Sequence, residues 1–280
     1  MKLRQRIKSM NDNTVAFIGA GNMARCIIGG MVNTGYPAAN IIAANPSRPK
    51  LDALAADFGI VVTQDNLLAV QKADVIVLSV KPQLMGEVCR QLIAGVPDIS
   101  EKLFVTVAAG LPVSRYEEWL GPVRLMRTMP NTPSLVGLGV TGIFASRCSN
   151  YEKSFVDSMF SATGKTVWLD QESQINDIIA VTGSAPAYFF YFMQAMAQKA
   201  ELLGFSPDEA HQMVVQTALG AATMATQSSL SFADLRAQVT SKGGTTHEAI
   251  ETMRNAGLEL LVADAMQAAI RRAEEMAKTL

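Results

Sequence analysis

Cysteine and histidine are scarce. The 280-residue chain has three cysteines, Cys26, Cys89 and Cys148, and two histidines, His211 and His247. The cysteines lack CxxC spacing, and with so few histidines no structural or catalytic zinc site is expected. An odd cysteine count without a secretory leader points to a reducing compartment, so the expected location is the cytoplasm. Charged residues make up only 18% and leave a formal net charge of -1, whereas a general nucleic-acid binder carries a basic surplus. The basic cluster Lys2, Arg4, Arg6 and Lys8 has no apolar h-region behind it and reads as a solvated tail. Charge is missing altogether from residues 178–198 and 210–233. Each stretch is long enough to span a bilayer. The first holds Thr182, Ser184, Pro186, Gln194 and Gln198, however, and the second holds His211, Gln212, Gln216 and Thr217. Such polar content is costly in hydrocarbon, so no membrane association is expected. Both stretches read as core helices that are apolar on most sides.

What the chain does have is apolar residues, 49% of the total, enough to bury a substantial core. Short β-branched runs at 14–19, 41–45, 75–80, 103–107, 123–127, 140–145 and 166–169 alternate with helical stretches. Several are continuously apolar, as in a sheet covered on both faces. That alternation predicts an α/β fold, a Rossmann-type doubly wound sheet over residues 1–170. Beyond Asp170 only helical signals remain, which predicts an all-helical second domain over 171–280. Ser206-Pro207-Asp208-Glu209 and Thr245-Thr246-His247-Glu248 both fit a capping box, the first with proline at the first helical position. The cluster Tyr188, Phe189, Phe190, Phe192, Met193 and Met196 covers too much of a helix circumference for a one-sided surface helix. Packing of this domain against a second copy is therefore expected, giving a homodimer.

The first expected strand runs into Gly19-Ala20-Gly21-Asn22-Met23-Ala24, a GxGxxA turn. The first glycine allows a tight turn and the second lets the backbone approach a pyrophosphate. The third position needs only a small residue for helix–strand packing. The phosphates would sit on the free N–H groups of the following helix. The second strand ends Ala44-Asn45-Pro46-Ser47-Arg48. It offers no carboxylate to ribose hydroxyls, while Ser47 and Arg48 suit a 2′-phosphate. An ordinary polar turn with a solvent-facing arginine is the competing reading. The third strand ends Ser79-Val80-Lys81-Pro82, which places Lys81 near the ligand crevice. The fourth ends Ala108-Ala109-Gly110, either room for a ring or ribose or a plain tight turn. The segment 129–133, with Met129 and Asn131, follows the fifth strand and is expected to wall the nicotinamide or substrate pocket. Gly243-Gly244-Thr245-Thr246 precedes a helix, where exposed N–H groups can converge on a carboxylate. A flexible hinge before a capped helix is the alternative. A Cβ at Gly244 is expected to distort a backbone that needs positive φ.

Taken in order, Gly19–Ala24, Val80-Lys81-Pro82, Ala108-Ala109-Gly110, Met129-Pro130-Asn131-Thr132-Pro133, Gly183-Ser184-Ala185-Pro186-Ala187-Tyr188 and Gly243-Gly244-Thr245-Thr246 resemble the pyrroline-5-carboxylate reductase family from about Thr14 onward. The resemblance implies reduction of a cyclic imine acid to L-proline with NADPH or NADH, and the acid-free 45–48 turn makes NADPH the expected cofactor and NADH the weaker alternative. It implies an N-terminal Rossmann domain and a helical domain that interlocks in a dimer or dimer-based assembly. It implies cofactor contacts from Gly19, Ala20, Gly21, Asn22, Met23, Ala24, Asn45, Ser47, Arg48, Asn66, Val80, Lys81, Pro82, Ala108, Ala109 and Gly110. Residues 241–246 match the loop that holds the substrate carboxylate, with contacts from Ser241, Gly243, Gly244 and Thr245 and with Thr246 near the ring nitrogen. Two positions depart from the family pattern: Lys242 replaces a proline, and Ala185 a glycine or serine.

The chemistry asks little of the protein, because a protonated imine is already electrophilic and the task is positioning. No His-Asp or Lys-Glu constellation is needed, and none is evident. A β-hydroxyacid dehydrogenase combines the same two domain types but relies on a lysine about one turn after its junction glycines. Here the next lysine after 183–188 is Lys199. An inactive NADPH-binding relative is the third reading, and the intact 243–246 loop argues against it.

Overall fold

The computed structural model describes residues Met10–Thr279, so the basic cluster at Lys2 to Lys8 lies outside the described residues. Contacts divide the chain into two compact units. One comprises the described residues up to Gly183 together with those from Ile270 onward, and the other is Ser184–Ala269.

The first unit is built on eight strands: β1 (Val15–Ile18), β2 (Ile41–Ala44), β3 (Val61–Thr63), β4 (Val75–Leu78), β5 (Leu103–Thr106), β6 (Arg124–Met129), β7 (Gly139–Ser146) and β8 (Gly164–Trp168). Their order in the sheet is β3-β2-β1-β4-β5-β6-β7-β8. Every pair is parallel except β6 with β7. The helices are α1 (Asn22–Asn33), α2 (Arg48–Phe58), α3 (Asn66–Lys72), α4 (Pro82–Gly95), α5 (Val113–Leu120), α6 (Asn150–Ser161) and the short α7 (Gln174–Ile178). Strands β1, β2, β4 and β5 are buried along their whole length. Alternate residues feed two cores, one gathering Val15, Phe17, Ile27 and Phe155, the other Ala16, Ile18, Met85, Phe104 and Tyr116. A two-sided core explains why these strands read as continuous apolar runs. Strand β3 escapes the sequence pattern because it has three residues, sits at the sheet edge and is partly exposed. The strands expected as third, fourth and fifth are therefore β4, β5 and β6. The antiparallel β6–β7 pair was also not foreseen.

The second unit is helical: α8 (Ala185–Leu202), α9 (Pro207–Gln227), α10 (Phe232–Gln238), α11 (Thr245–Asn255) and the first part of α12 (Leu258–Thr279). A π-helical stretch, Ile179–Gly183, immediately precedes the second unit in the chain. The capping box at Ser206 forms as expected: Ser206 Oγ accepts from Glu209 N, and Glu209 Oε2 accepts from Ser206 N at 2.9 Å. The one expected at Thr245 does not. The N-cap of α11 is Gly244, one residue earlier, so Glu248 falls beyond the third helical position and cannot reach back. Helices α8 and α9 pack on each other, yet no residue of α8 is buried within the single chain. Phe189, Phe190 and Tyr191 are about two-thirds or more exposed, as are Leu260 and Leu261. Among the described residues no helix is long and apolar enough to cross a membrane.

Candidate functional site

In the strand order, chain progress reverses between β1 and β4, and ligands of such sheets bind beyond the strand ends at that point. Gly19 follows β1 there with φ +105°, and a Cβ on it would meet Ser79 O at 2.7 Å. Conformation and close approach both demand glycine. Gly19 N donates to Ala44 O at 2.8 Å. Ser79 Oγ donates to Ile18 O at 3.0 Å and Gly19 O at 2.9 Å. The ends of β1, β2 and β4 thereby form one fixed platform.

Gly21 is different. Its φ is -81°, which any residue adopts, and a Cβ on it would meet nothing within 4 Å. Neither the backbone nor the surrounding protein requires glycine there, so the open space in front of it is the remaining reason. Gly21 is the N-cap of α1, and no side chain caps that helix. Its first N–H groups, at Asn22 and Met23, stay available to an anion. Ala24 is fully buried, so a larger side chain has no room.

Asn45 joins the glycine loop to the turn after β2. Its Oδ1 accepts from Ala20 N at 3.3 Å and its Nδ2 donates to Ser47 O at 3.2 Å. Ser47 is exposed and is the N-cap of α2, with no cap bond from its hydroxyl. Arg48 is also exposed but not free: its Nε pairs with Asp52 Oδ1 at 2.8 Å. An acid thus stands one helical turn beyond the acid-free turn. Asn66 is half-buried at the start of α3, whose N-terminus is already occupied by Asp65 Oδ1, bonded to Leu67 N and Leu68 N.

On the other side of the switch point, Val80 is half-buried, Lys81 is exposed as the N-cap of α4, and Pro82 opens that helix. Ala108 and Gly110 are buried, Ala109 less so, and Gly110 has φ +78°. Below this loop lies a polar cluster that no local sequence pattern marks. Thr106 Oγ1 bonds Tyr116 Oη at 2.6 Å and accepts from Ala108 N at 3.2 Å, while Thr128 Oγ1 donates to Thr106 O at 2.9 Å. Burial pushes the Tyr116 hydroxyl far above its ordinary pKa. Met129 ends β6 close to Gly183, where a Cβ would lie 3.3 Å from its Cε. Asn131 is buried and committed at both ends: Oδ1 accepts from Val140 N at 2.8 Å and Nδ2 donates to Thr182 O at 3.0 Å. Its geometry fixes the 129–133 turn.

The second unit presents residues 241–246 at the start of α11. Gly243 has φ +69°, so the positive φ expected at Gly244 belongs to Gly243. Gly244 has φ -83°. What excludes a side chain there is Ser241, whose Oγ would be 2.5 Å from a Cβ. The Gly244 N–H already donates to Ser241 O at 3.0 Å, which leaves those of Gly243, Thr245 and Thr246. No side chain caps α11, and Ser241, Lys242, Thr245 and Thr246 are exposed.

Nucleophilic cysteine chemistry finds no support. Burial pushes the thiols of Cys89 and Cys148 up to about 12 and raises that of Cys26 as well. A reactive thiol needs its pKa lowered.

The open glycine, the uncapped helix and the switch point define a dinucleotide-binding domain of the doubly wound class, joined to a helical unit. Residues 14–110 match the family model for NADP oxidoreductase, coenzyme F420-dependent, and residues 172–276 that for pyrroline-5-carboxylate reductase dimerisation. The pyrroline-5-carboxylate reductase of Vibrio alginolyticus is 49% identical over 272 residues, 96% of this chain and 99% of that protein. The structure of a pyrroline-5-carboxylate reductase from Coxiella burnetii matches with a TM-score of 0.90 at 40% identity, covering 95% of this chain and 98% of that one. That of the Plasmodium falciparum pyrroline carboxylate reductase with NADP bound matches at 0.84 and 24% identity, covering 96% and 100%, a likeness of fold. The chain belongs to the pyrroline-5-carboxylate reductase family.

Proposed function

We propose that this protein reduces 1-pyrroline-5-carboxylate to L-proline with NADPH, the last step of proline synthesis, in the cytoplasm and as a homodimer or an assembly of such dimers. NADH serves as the weaker alternative. The observation that carries this reading is the match over nearly the whole chain to relatives named for that reaction. The Gly21 space at the head of α1 is the feature that suits a pyrophosphate.

When bound, the cofactor supplies the hydride. The chain binds and orients. Gly19 to Ala24 cradle the pyrophosphate, with Asn45 holding the loop in shape. Ser47 and Arg48 contact the 2′-phosphate, and Asn66, Val80, Lys81, Pro82 and Ala108 to Gly110 line the rest of the dinucleotide. Met129 walls the pocket, and Asn131 fixes the turn that carries it. The N–H groups of Gly243, Thr245 and Thr246 hold the substrate carboxylate on the positive end of α11, supported by Ser241 folding over Gly244. The Thr246 hydroxyl bonds the ring nitrogen, where a proton must be kept for the imine to accept hydride. The apolar face of α8 and α12 supports self-association, since exposed apolar surface of this extent marks an interface.

The test is oxidation of NADPH by the purified protein with 1-pyrroline-5-carboxylate, against the reverse reaction with a panel of β-hydroxy acids. Turnover only with the imine acid supports the reading. Turnover only with hydroxy acids would replace it by the dehydrogenase alternative.

A further inference from the structure

Helix α5 begins without a cap of its own. Its N-cap is Pro112, which has no side-chain acceptor. The missing acceptor comes from a residue far along the chain: Glu172 Oε1 accepts from Val113 N at 2.6 Å. The same oxygen accepts from Arg127 Nη1 at 2.6 Å. Arg127 stands on β6 beside Thr106 of β5 in register, and its side chain is only 6% exposed. Its Nε is buried with no hydrogen-bond partner, and among the described residues the carboxylate that pairs with this buried cation is that of Glu172. Glu172 thus closes two needs at once, an open helix terminus and a desolvated charge.

The segment between β5 and α5 is the loop 107–112. One end is held by Val107 N to Leu78 O at 3.2 Å and Ala108 N to Thr106 Oγ1 at 3.2 Å. Glu172 holds the other end at Val113. Between these anchors lie Ala109 and Gly110, the latter at positive φ. A loop fixed at both ends keeps the shape of its middle.

We propose that Glu172 is a positioning residue for the nicotinamide half of the cofactor, acting through the 107–112 loop. The inference rests on the dinucleotide reading above. Strands β2 and β5 lie on opposite sides of the β1–β4 switch point. A dinucleotide that meets the β2 turn with its adenosine ribose must meet the β5 side with its other half. Glu172 therefore governs one half of the ligand and leaves the other alone, which a residue that only stabilises the fold cannot do.

The experiment measures dissociation constants of NADPH and of adenosine 2′,5′-bisphosphate, which lacks the nicotinamide half, by titration calorimetry on the full-length protein. The variants are Glu172→Ala and Glu172→Gln, and a thermal melt accompanies each. The expected result for Glu172→Ala is NADPH binding weakened roughly three- to thirtyfold, the range of a lost helix cap, with adenosine 2′,5′-bisphosphate unchanged. Glu172→Gln keeps an acceptor for Val113 N and should recover part of the loss; it also serves if the alanine variant does not fold. Equal weakening of both ligands, or a lowered melting temperature with neither affinity changed, would overturn the proposal. Failure of the parent protein to bind either ligand would instead remove the dinucleotide reading beneath it.

Discussion

The turn after β2 gives the sharpest handle on cofactor choice. Arg48 is exposed, and its Nε is held by Asp52 at 2.8 Å. A charge-assisted contact to a 2′-phosphate contributes about 1.5–3 kcal/mol. Binding must first release the Asp52 pair, an exposed i,i+4 contact worth about 0.3–0.5 kcal/mol. The net contribution is then about 1–2.5 kcal/mol, and Arg48→Ala should weaken NADPH about 5- to 70-fold. NADH has no 2′-phosphate and should be affected less than about twofold. Asp52→Asn removes the competitor and should tighten NADPH about twofold, leaving NADH alone. Fluorescence titration of both cofactors against the three proteins provides the numbers. Because the site is exposed, the Arg48 effect should shrink as salt is raised. Equal weakening of NADPH and NADH by Arg48→Ala would refute the reasoning and return Arg48 to an ordinary surface ion pair.

The 241–246 loop yields three further expectations. Gly244→Val drives a Cβ to 2.5 Å from Ser241 Oγ. It should raise the Michaelis constant for the imine acid by the ~1–3 kcal/mol of an overpacked site, about 5- to 150-fold, with NADPH affinity unchanged. Thr246→Val removes one neutral hydroxyl and should lower turnover about five- to thirtyfold, more than it changes substrate affinity. Lys242→Pro should keep activity, since Lys242 is exposed. Steady-state kinetics check all three. Phe189→Asp puts a carboxylate at a position that is 67% exposed in the single chain. It should dissociate the dimer in sedimentation, because that position is desolvated only against a second copy. A wild-type monomer at micromolar concentration would refute the dimer.

The elements that position the cofactor loop were legible because each leaves a local mark. Strands β1, β4 and β5 bury both faces and read as apolar runs, and Gly19 carries both the turn and the approach to Ser79. The Ser206 cap was legible because its partner is three residues away. The Thr245 cap has the same letters, yet the helix starts at Gly244's C-terminal side and the box fails by one position. Strand β3 was not legible, being short and at the edge. Asp52 was within reach, since i,i+4 spacing on a helix predicts its pair with Arg48. Glu172 was not. Its partners Arg127 and Val113 are distant in the chain, and no periodicity marks a carboxylate that caps another element's helix. Asn131 stood out as a site residue, but which of its two roles applied, contact or brace, depended on partners at Val140 and Thr182.

The central claim is direct hydride delivery to the imine carbon of 1-pyrroline-5-carboxylate. NADPH deuterated at the transferring position of its nicotinamide, incubated with the enzyme and this substrate, tests it in one experiment read by NMR of the product. The expected product is L-proline carrying one deuterium on Cδ, the ring carbon beside the nitrogen that does not bear the carboxylate, in amounts equal to the NADPH oxidised. Oxidation of NADPH without proline, or proline free of deuterium at Cδ, would contradict direct hydride delivery to the imine carbon.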